Sequence, residues 1–323
     1  MLIRKKKKVL NKIWNDKQKK LKKKNLTAGD RLFLSRNILD MSKITFKDII
    51  EDKRLEPIQL EKDIASLKKW NPTGEKQSFA GNKTLYHFQM ANLLRTRVVG
   101  KKKILEEILI DDEEYAKLER NVEKLGRTGT MANRFFEAYR FNQAVVFFKP
   151  SVAKWIYKKF NATHVLDPTA GWGGRMLGAN ALGIHYTGID TNISLQPAYH
   201  EMMELIKDHK MRMIWEDTLA VDYEAIDYDF VLTSTPYVNK KGEMVEIYEH
   251  QVIMDDFYGK FLIPLIEKCL RHIKRNGKVC FNMNSMMYEE VEKRFRPANE
   301  QHDMLQQKRL AKDKGEKLYV WYN

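Results

Sequence analysis

From about residue 131 onward the chain repeats one pattern: a short apolar run, a turn, then a stretch with apolar residues at helical spacing. Residues 163–167, 186–190, 211–217, 228–234, 278–282 and 318–322 read as strands, with helices expected at 151–160, 175–182, 195–209 and 255–274. Strand–helix alternation at this pitch predicts an α/β, Rossmann-like fold, a mostly parallel doubly wound sheet with helices on both faces. Sheets of this kind bind ligands at the carboxyl ends of their strands, so the residues that close each strand are the first place to look for chemistry.

The first strand closes on Asp167-Pro168-Thr169-Ala170-Gly171-Trp172-Gly173-Gly174-Arg175. Its glycines permit a tight turn and close backbone approach. The helix that follows offers free N–H groups and a partial positive charge to a carboxylate or phosphate. The loop departs from the dinucleotide fingerprint, because Met176 stands where the third glycine belongs. The second strand ends in Asp190, whose carboxylate can accept both hydroxyls of a ribose or simply cap the next helix. The third ends at Glu216-Asp217-Thr218, where Asp217 can accept from an exocyclic amine or cap a turn. The fourth runs into Ser234-Thr235-Pro236-Tyr237, and an aromatic ring fixed by a proline at a strand end is a stacking surface for a planar base.

These segments resemble the motifs of class I S-adenosylmethionine-dependent methyltransferases, specifically those that methylate the exocyclic amine of adenine (N6) or cytosine (N4) in DNA. Residues 167–175 are similar to the family's DP-x-AG-x-GG cofactor loop, and Ser234 to Tyr237 to its (Asp/Asn/Ser)-Pro-Pro-(Tyr/Phe/Trp) tetrapeptide. Phe147-Phe148-Lys149-Pro150 resembles the Lys-Pro segment placed before the loop. The resemblance covers about residues 140–323. It implies that Asp167, Thr169, Ala170, Gly171 and Gly173 hold the methionine part of S-adenosylmethionine, with Phe148 and Pro150 near it. Asp190 would hold the ribose and Asp217 the adenine. Ser234, Thr235, Pro236 and Tyr237 would form the catalytic corner, with no metal required. The strand at 318–322 would run antiparallel, as in such folds. The chain departs from the family at Thr235, where proline is usual: the backbone carbonyl survives, proline's rigidity does not, and an N–H donor is added.

Charge narrows the substrate. The formal net charge is +15, which suits a polyanion better than a small metabolite, since each neutralised phosphate releases a counterion. Much of it sits in residues 1–25, a lysine-rich arm expected to be disordered. Residues 26–130 read as a helical region, with 42–51, 60–70 and 85–95 at helical spacing. Arg95, Arg97, Lys101, Lys102 and Lys103 are available there for phosphates, so this region is the candidate for nucleic-acid recognition ahead of a methyltransferase domain at 131–323. Tyr248 reads as a packing residue more readily than a substrate contact. No apolar run reaches the roughly 18 residues of a membrane helix, and no signal sequence follows the basic start. Cys269 and Cys280 make neither a disulfide framework nor a zinc site. The expectation is a soluble protein inside a cell, in cytoplasm or nucleus; the lysine-rich composition fits an AT-rich genome, a viral one included. DNA is the expected partner and RNA the alternative. A protein glutamine is a further substrate of the same chemistry. An inactive nucleic-acid-binding protein is the reading that Thr235 favours and that Asp190 and the intact glycine loop oppose.

Overall fold

A computed structural model describes residues 43–71, 77–98, 103–143, 147–238, 246–247, 255–305 and 315–323. The basic arm, Lys101, Lys102 and Tyr248 lie outside the described residues. In chain order the elements begin with α1 (Phe46–Lys53), α2 (Pro57–Lys69), α3 (Asn82–Arg95), β1 (Arg97–Val98), α4 (Leu105–Ile110), α5 (Asp112–Leu125) and α6 (Met131–Gln143). There follow α7 (Pro150–Lys159), β2 (His164–Asp167), α8 (Gly174–Asn180), β3 (His185–Asp190), α9 (Gln196–Ile206), β4 (Met211–Trp215), β5 (Phe230–Thr233) and β6 (Glu246–Ile247). The last are α10 (Ile263–His272), entered through a π-helical turn at Tyr258–Leu262, then β7 (Lys278–Asn284), α11 (Ser285–Arg294), β8 (Glu300–Asp303) and β9 (Glu316–Tyr322). Among the described residues no helix is long and apolar enough to cross a membrane.

The chain forms two compact units. The smaller contains α1 and α4 to α6; the larger contains α2, α3 and everything from α7 onward. The helical region before residue 131 is thus shared between the units rather than forming one block. In the smaller unit Asp111 caps α5 by accepting from the Glu113 and Glu114 amides, each at 3.0 Å, and Gly126 ends that helix in a left-handed turn at φ 56°. Its interior is built on Leu105, Tyr115, Leu118, Val122, Phe135 and Phe136.

The larger unit is built on a seven-stranded sheet in the order β4-β3-β2-β5-β7-β9-β8. The first five strands are parallel, and β9 runs antiparallel between β7 and β8. Strand order reverses between β2 and β5, the switch point at which doubly wound sheets place their ligands. Parallel strands are covered on both faces and so need continuous apolar runs. Accordingly Phe230, Val231, Leu232 and Thr233 are all buried in β5, as are Val279 to Met283 in β7. Cys269 and Cys280 are free, buried thiols in this core. The edge strand β8 carries Glu300, Gln301, His302 and Asp303, polar residues that discourage pairing with another chain.

Helices α7 and α8 meet at backbone distance. A Cβ at Gly178 would lie 2.7 Å from Ala153 Cβ and 2.9 Å from the Pro150 carbonyl oxygen. One at Gly174 would lie 1.8 Å from the Phe148 carbonyl oxygen, so neither position tolerates a side chain. The end of α2 and Ser78 are tied to α7. The buried Lys154 ammonium donates to the carbonyls of Leu67, Lys68 and Trp70 at 2.8, 2.8 and 2.6 Å, closing the open end of α2. Ser151 Oγ donates to the Ser78 carbonyl at 2.6 Å. Overpacking a contact this close costs roughly 1–3 kcal/mol. Gly178→Ala is therefore expected to lower unfolding free energy by about that amount in a urea titration, whereas Ala at Gly183, where a Cβ meets nothing within 4 Å, carries only the strain of its φ of 67°.

Candidate functional site

The loop after β2 is organised from beneath by Asp167, which is wholly buried. Its carboxylate accepts from Arg175 Nε at 2.6 Å, the Tyr186 hydroxyl at 2.7 Å and the Thr233 hydroxyl at 3.0 Å. Three protein donors from three elements thus meet that carboxylate and tie the loop to its base. Arg175, itself 4% exposed, also donates to the Thr169 carbonyl and lies 5.1 Å from the Phe148 ring. Burial works against the guanidinium charge, but Asp167 more than offsets it and holds the pKa above its ordinary value. Tyr186 and Tyr199 ionise well above the usual phenol range, through burial and then the Asp167 charge.

Above this base the loop presents backbone. Ala170 N–H donates to the Ile189 carbonyl at 2.9 Å, and the Tyr199 hydroxyl donates to the Ala170 carbonyl at 3.3 Å. Gly171 and Gly173 have φ of 58° and 90°, the left-handed region that favours glycine. A Cβ at Gly171 would meet only the Thr169 carbonyl oxygen, at 3.9 Å, so the loop surface is open there. Pro150 opens α7 and the Phe148 carbonyl lies against Gly174 at the start of α8.

Asp190 closes β3, half-buried, with Oδ2 accepting from Gly171 N–H at 2.7 Å and Oδ1 from Asn192 N–H at 2.8 Å. Each oxygen keeps a further lone pair. Burial raises its pKa above the ordinary carboxylate value, and the two amides only partly oppose that. Asp217 is exposed just beyond β4. It caps the turn that follows, accepting from Leu219 N–H at 2.9 Å, so the turn-capping reading is realised in the structure. That turn is held by Lys268, whose ammonium donates to the carbonyls of Leu219 and Val221, each at 2.6 Å, and lies 4.6 Å from the Tyr223 ring.

The corner after β5 meets the loop directly. The Thr169 hydroxyl lies 2.6 Å from Thr233 Oγ1 and 3.2 Å from the Ser234 carbonyl oxygen. Thr233 gives its own proton to Asp167, so the single Thr169 proton is shared between Thr233 Oγ1 and the Ser234 carbonyl. Ser234, Pro236 and Tyr237 are half-buried. Thr235 is 2% exposed, and its hydroxyl finds no hydrogen-bond partner among the described residues. The Tyr237 hydroxyl donates to Asn282 Oδ1 at 3.3 Å and lies 3.4 Å from Ser234 Oγ. Asn282 in turn donates to the Lys317 carbonyl at 3.2 Å. A carbonyl only accepts, so the amide nitrogen faces Lys317 and the amide oxygen faces Tyr237.

Residues 167–175, Asp190 and 234–237 are therefore brought together at the carboxyl ends of β2, β3 and β5, with Asp217 beyond the end of β4. Arg95, Arg97 and Lys103 are the basic candidates among the described residues. Arg95 is exposed in the last turn of α3, and Arg97 lies in β1, which pairs with β6. Lys103 belongs to the smaller unit and is engaged by Asp111 at 2.5 Å, which holds that carboxyl down at about 2. Arg175, Tyr186, Tyr199, Thr233 and Asn282 support the site without having been singled out from sequence. Only Arg175, closing the glycine loop, carried a local signal.

The strand order and this site define a Rossmann-like α/β fold of the doubly wound type. No protein-family model and no curated protein matches the chain. Among solved structures it is similar to TrmN from Thermus thermophilus, at 15% identity and a TM-score of 0.38, over 53% of this chain and 48% of that one. A tRNA methyltransferase from M. jannaschii compares at 17% identity and a TM-score of 0.36, again over 53% and 48%. An RNA methyltransferase from Salinibacter ruber, in complex with S-adenosyl-L-homocysteine, compares at 14% and 0.36, over 55% of this chain and 93% of that one. The chain spans about half the length of the first two.

Removing one partner of a buried ion pair costs roughly 3–5 kcal/mol, because the other charge is left uncompensated. Arg175→Met is expected to lose stability on that scale in urea unfolding, and the double variant with Asp167→Asn to regain much of it. Equal losses in the single and double variants would show that the pair does not organise the loop.

Proposed function

We propose that this chain is an S-adenosylmethionine-dependent methyltransferase that methylates the exocyclic amine of adenine (N6) or cytosine (N4) in DNA. The observation that carries the reading is the hydrogen bond from Thr169 to the Ser234 carbonyl, which joins the loop suited to a cofactor to the corner suited to a base. The donor set fits such a cofactor: a left-handed Gly171 with open space above it, and an Asp190 carboxylate with lone pairs to spare for ribose hydroxyls. When bound, the cofactor supplies an electrophilic methyl group. Asp217 would take the adenine amine with the oxygen not used in its turn.

The remaining chemistry belongs to the chain. The lone pair of an exocyclic amine is delocalised into its ring, so the nitrogen is a weak nucleophile until its N–H bonds are accepted. Tyr237 spends its single proton on Asn282, which makes Ser234 the donor to Tyr237 and leaves the Ser234 oxygen lone pairs for the amine. The Thr235 carbonyl would accept the second N–H, and the Tyr237 ring would stack on the base, which must leave a duplex to arrive there. Positioning and electrostatics supply the rate.

Nucleoside mass spectrometry tests the reading. The purified chain, incubated with deuterated-methyl S-adenosylmethionine and unmethylated DNA, is expected to yield labelled N6-methyladenine or N4-methylcytosine. Label confined to RNA would move the substrate to RNA. No label in any nucleic acid, in the parent or in Thr235→Pro, would sink the nucleobase reading. Calorimetry tests the cofactor separately: Asp190→Ala should abolish binding. Because burial raises the Asp190 pKa, and the ionised form is the better acceptor, cofactor affinity should fall on acidification at a pH above the usual carboxylate value of 3.8. The sign for the fold is opposite: this group stabilises the folded chain at low pH and loses that contribution as pH rises through its folded pKa.

A further inference from the structure

Among the described residues four large apolar side chains stand exposed: Ile58, Phe79, Ile110 and Ile193, at 56%, 64%, 79% and 68%. Singly exposed apolar residues are ordinary. Phe79 differs because a cation is held over its ring. Lys149 Nζ lies 4.8 Å from the ring centroid and donates to Gln77 Oε1 at 2.5 Å, while Gln77 donates through its amide nitrogen to the Leu305 carbonyl. The lysine is thus aimed by a glutamine that is itself tied across the sheet edge.

The position matters as much as the geometry. Helix α7 leads into β2, so Lys149, its N-cap, lies at the carboxyl edge of the sheet. Strand β8 is antiparallel to β9, as β7 is, so β8 runs with β7 and Leu305 lies beyond its end at the same edge. Phe148, the neighbour of Lys149, carries the carbonyl that lies against Gly174 at the start of α8. Phe79, Lys149 and Gln77 therefore share the carboxyl edge with the candidate site, Lys149 directly following the Phe148 whose carbonyl meets Gly174.

We infer that Phe79, Lys149 and Gln77 form a subsite for a nucleotide flanking the target, with a base stacked on the open face of Phe79 and its phosphate met by Lys149. This rests on the nucleic-acid reading above. An exposed ring is sequence-tolerant because every base has a π-face, and a cation beside it supplies the phosphate contact that single-strand binders combine with stacking. The net charge of +15 suits the same ligand.

The test is fluorescence anisotropy with a labelled single-stranded oligodeoxynucleotide on the full chain, with cofactor affinity followed in parallel by calorimetry. Phe79→Ala should weaken oligonucleotide binding about tenfold and leave cofactor affinity unchanged, with Phe79→Trp restoring it through a larger ring. Lys149→Gln should reduce the slope of log affinity against log salt by about one phosphate contact. If the parent binds and Phe79→Ala binds equally well, the subsite is wrong and the methyltransferase reading stands. If the parent binds cofactor but no nucleic acid, the substrate reading fails and takes the subsite with it.

Discussion

The buried pair of Asp167 and Arg175 is the constraint on which the rest of the site depends. An ionised carboxylate withdrawn from water is tolerated only when its lone pairs and charge are all met. Here that requirement recruits a residue from the helix after the loop, a tyrosine from the neighbouring strand and a threonine from the strand on the other side. Three elements are thereby fixed to one atom group at the switch point of the sheet. Thr233 then orients Thr169, Thr169 reaches Ser234, and the loop and corner take up one relative position.

The strap formed by Leu67, Lys68, Trp70 and Ser78 on α7 extends the same logic to the rim. A lysine on three carbonyls is an expensive way to close a helix unless the position of that helix matters, and the strap delivers Gln77 and Phe79 beside Lys149. Lys268 repeats the device on the far side, where it fixes the turn that carries Asp217.

The parallel strands were legible because each is an apolar run buried on both faces, and the glycine loop because its turn demands residues that few alternatives satisfy. Ends were less legible. The helix expected to reach 209 stops at Ile206, because Lys207 turns left-handed at φ 47°. The strand expected from 228 begins at Phe230, since the Asp229 side chain caps Thr163 and His164 backbone instead. Strand β8 was invisible: Glu-Gln-His-Asp has no apolar alternation, being an edge whose pairing with β9 is carried by backbone. At the site, the residues facing the open surface could be named from local pattern. Tyr186, Thr233 and Asn282 could not, because their roles arise only when distant strands lie side by side.

The placement of β9 between β7 and β8 has a consequence for how the molecule comes together. Strand β8 precedes β9 in the chain yet has no other partner in the sheet, so during synthesis it must wait, unpaired, for a later segment to arrive. Asn282 waits with it, because the carbonyl that fixes its amide belongs to Lys317 in β9. A contact cannot close before the later of its two segments has been synthesised. The glycine loop can set as soon as β2, β3 and β5 have met, whereas the hydroxyl relay from Asn282 through Tyr237 to Ser234 is among the last features to acquire its final orientation.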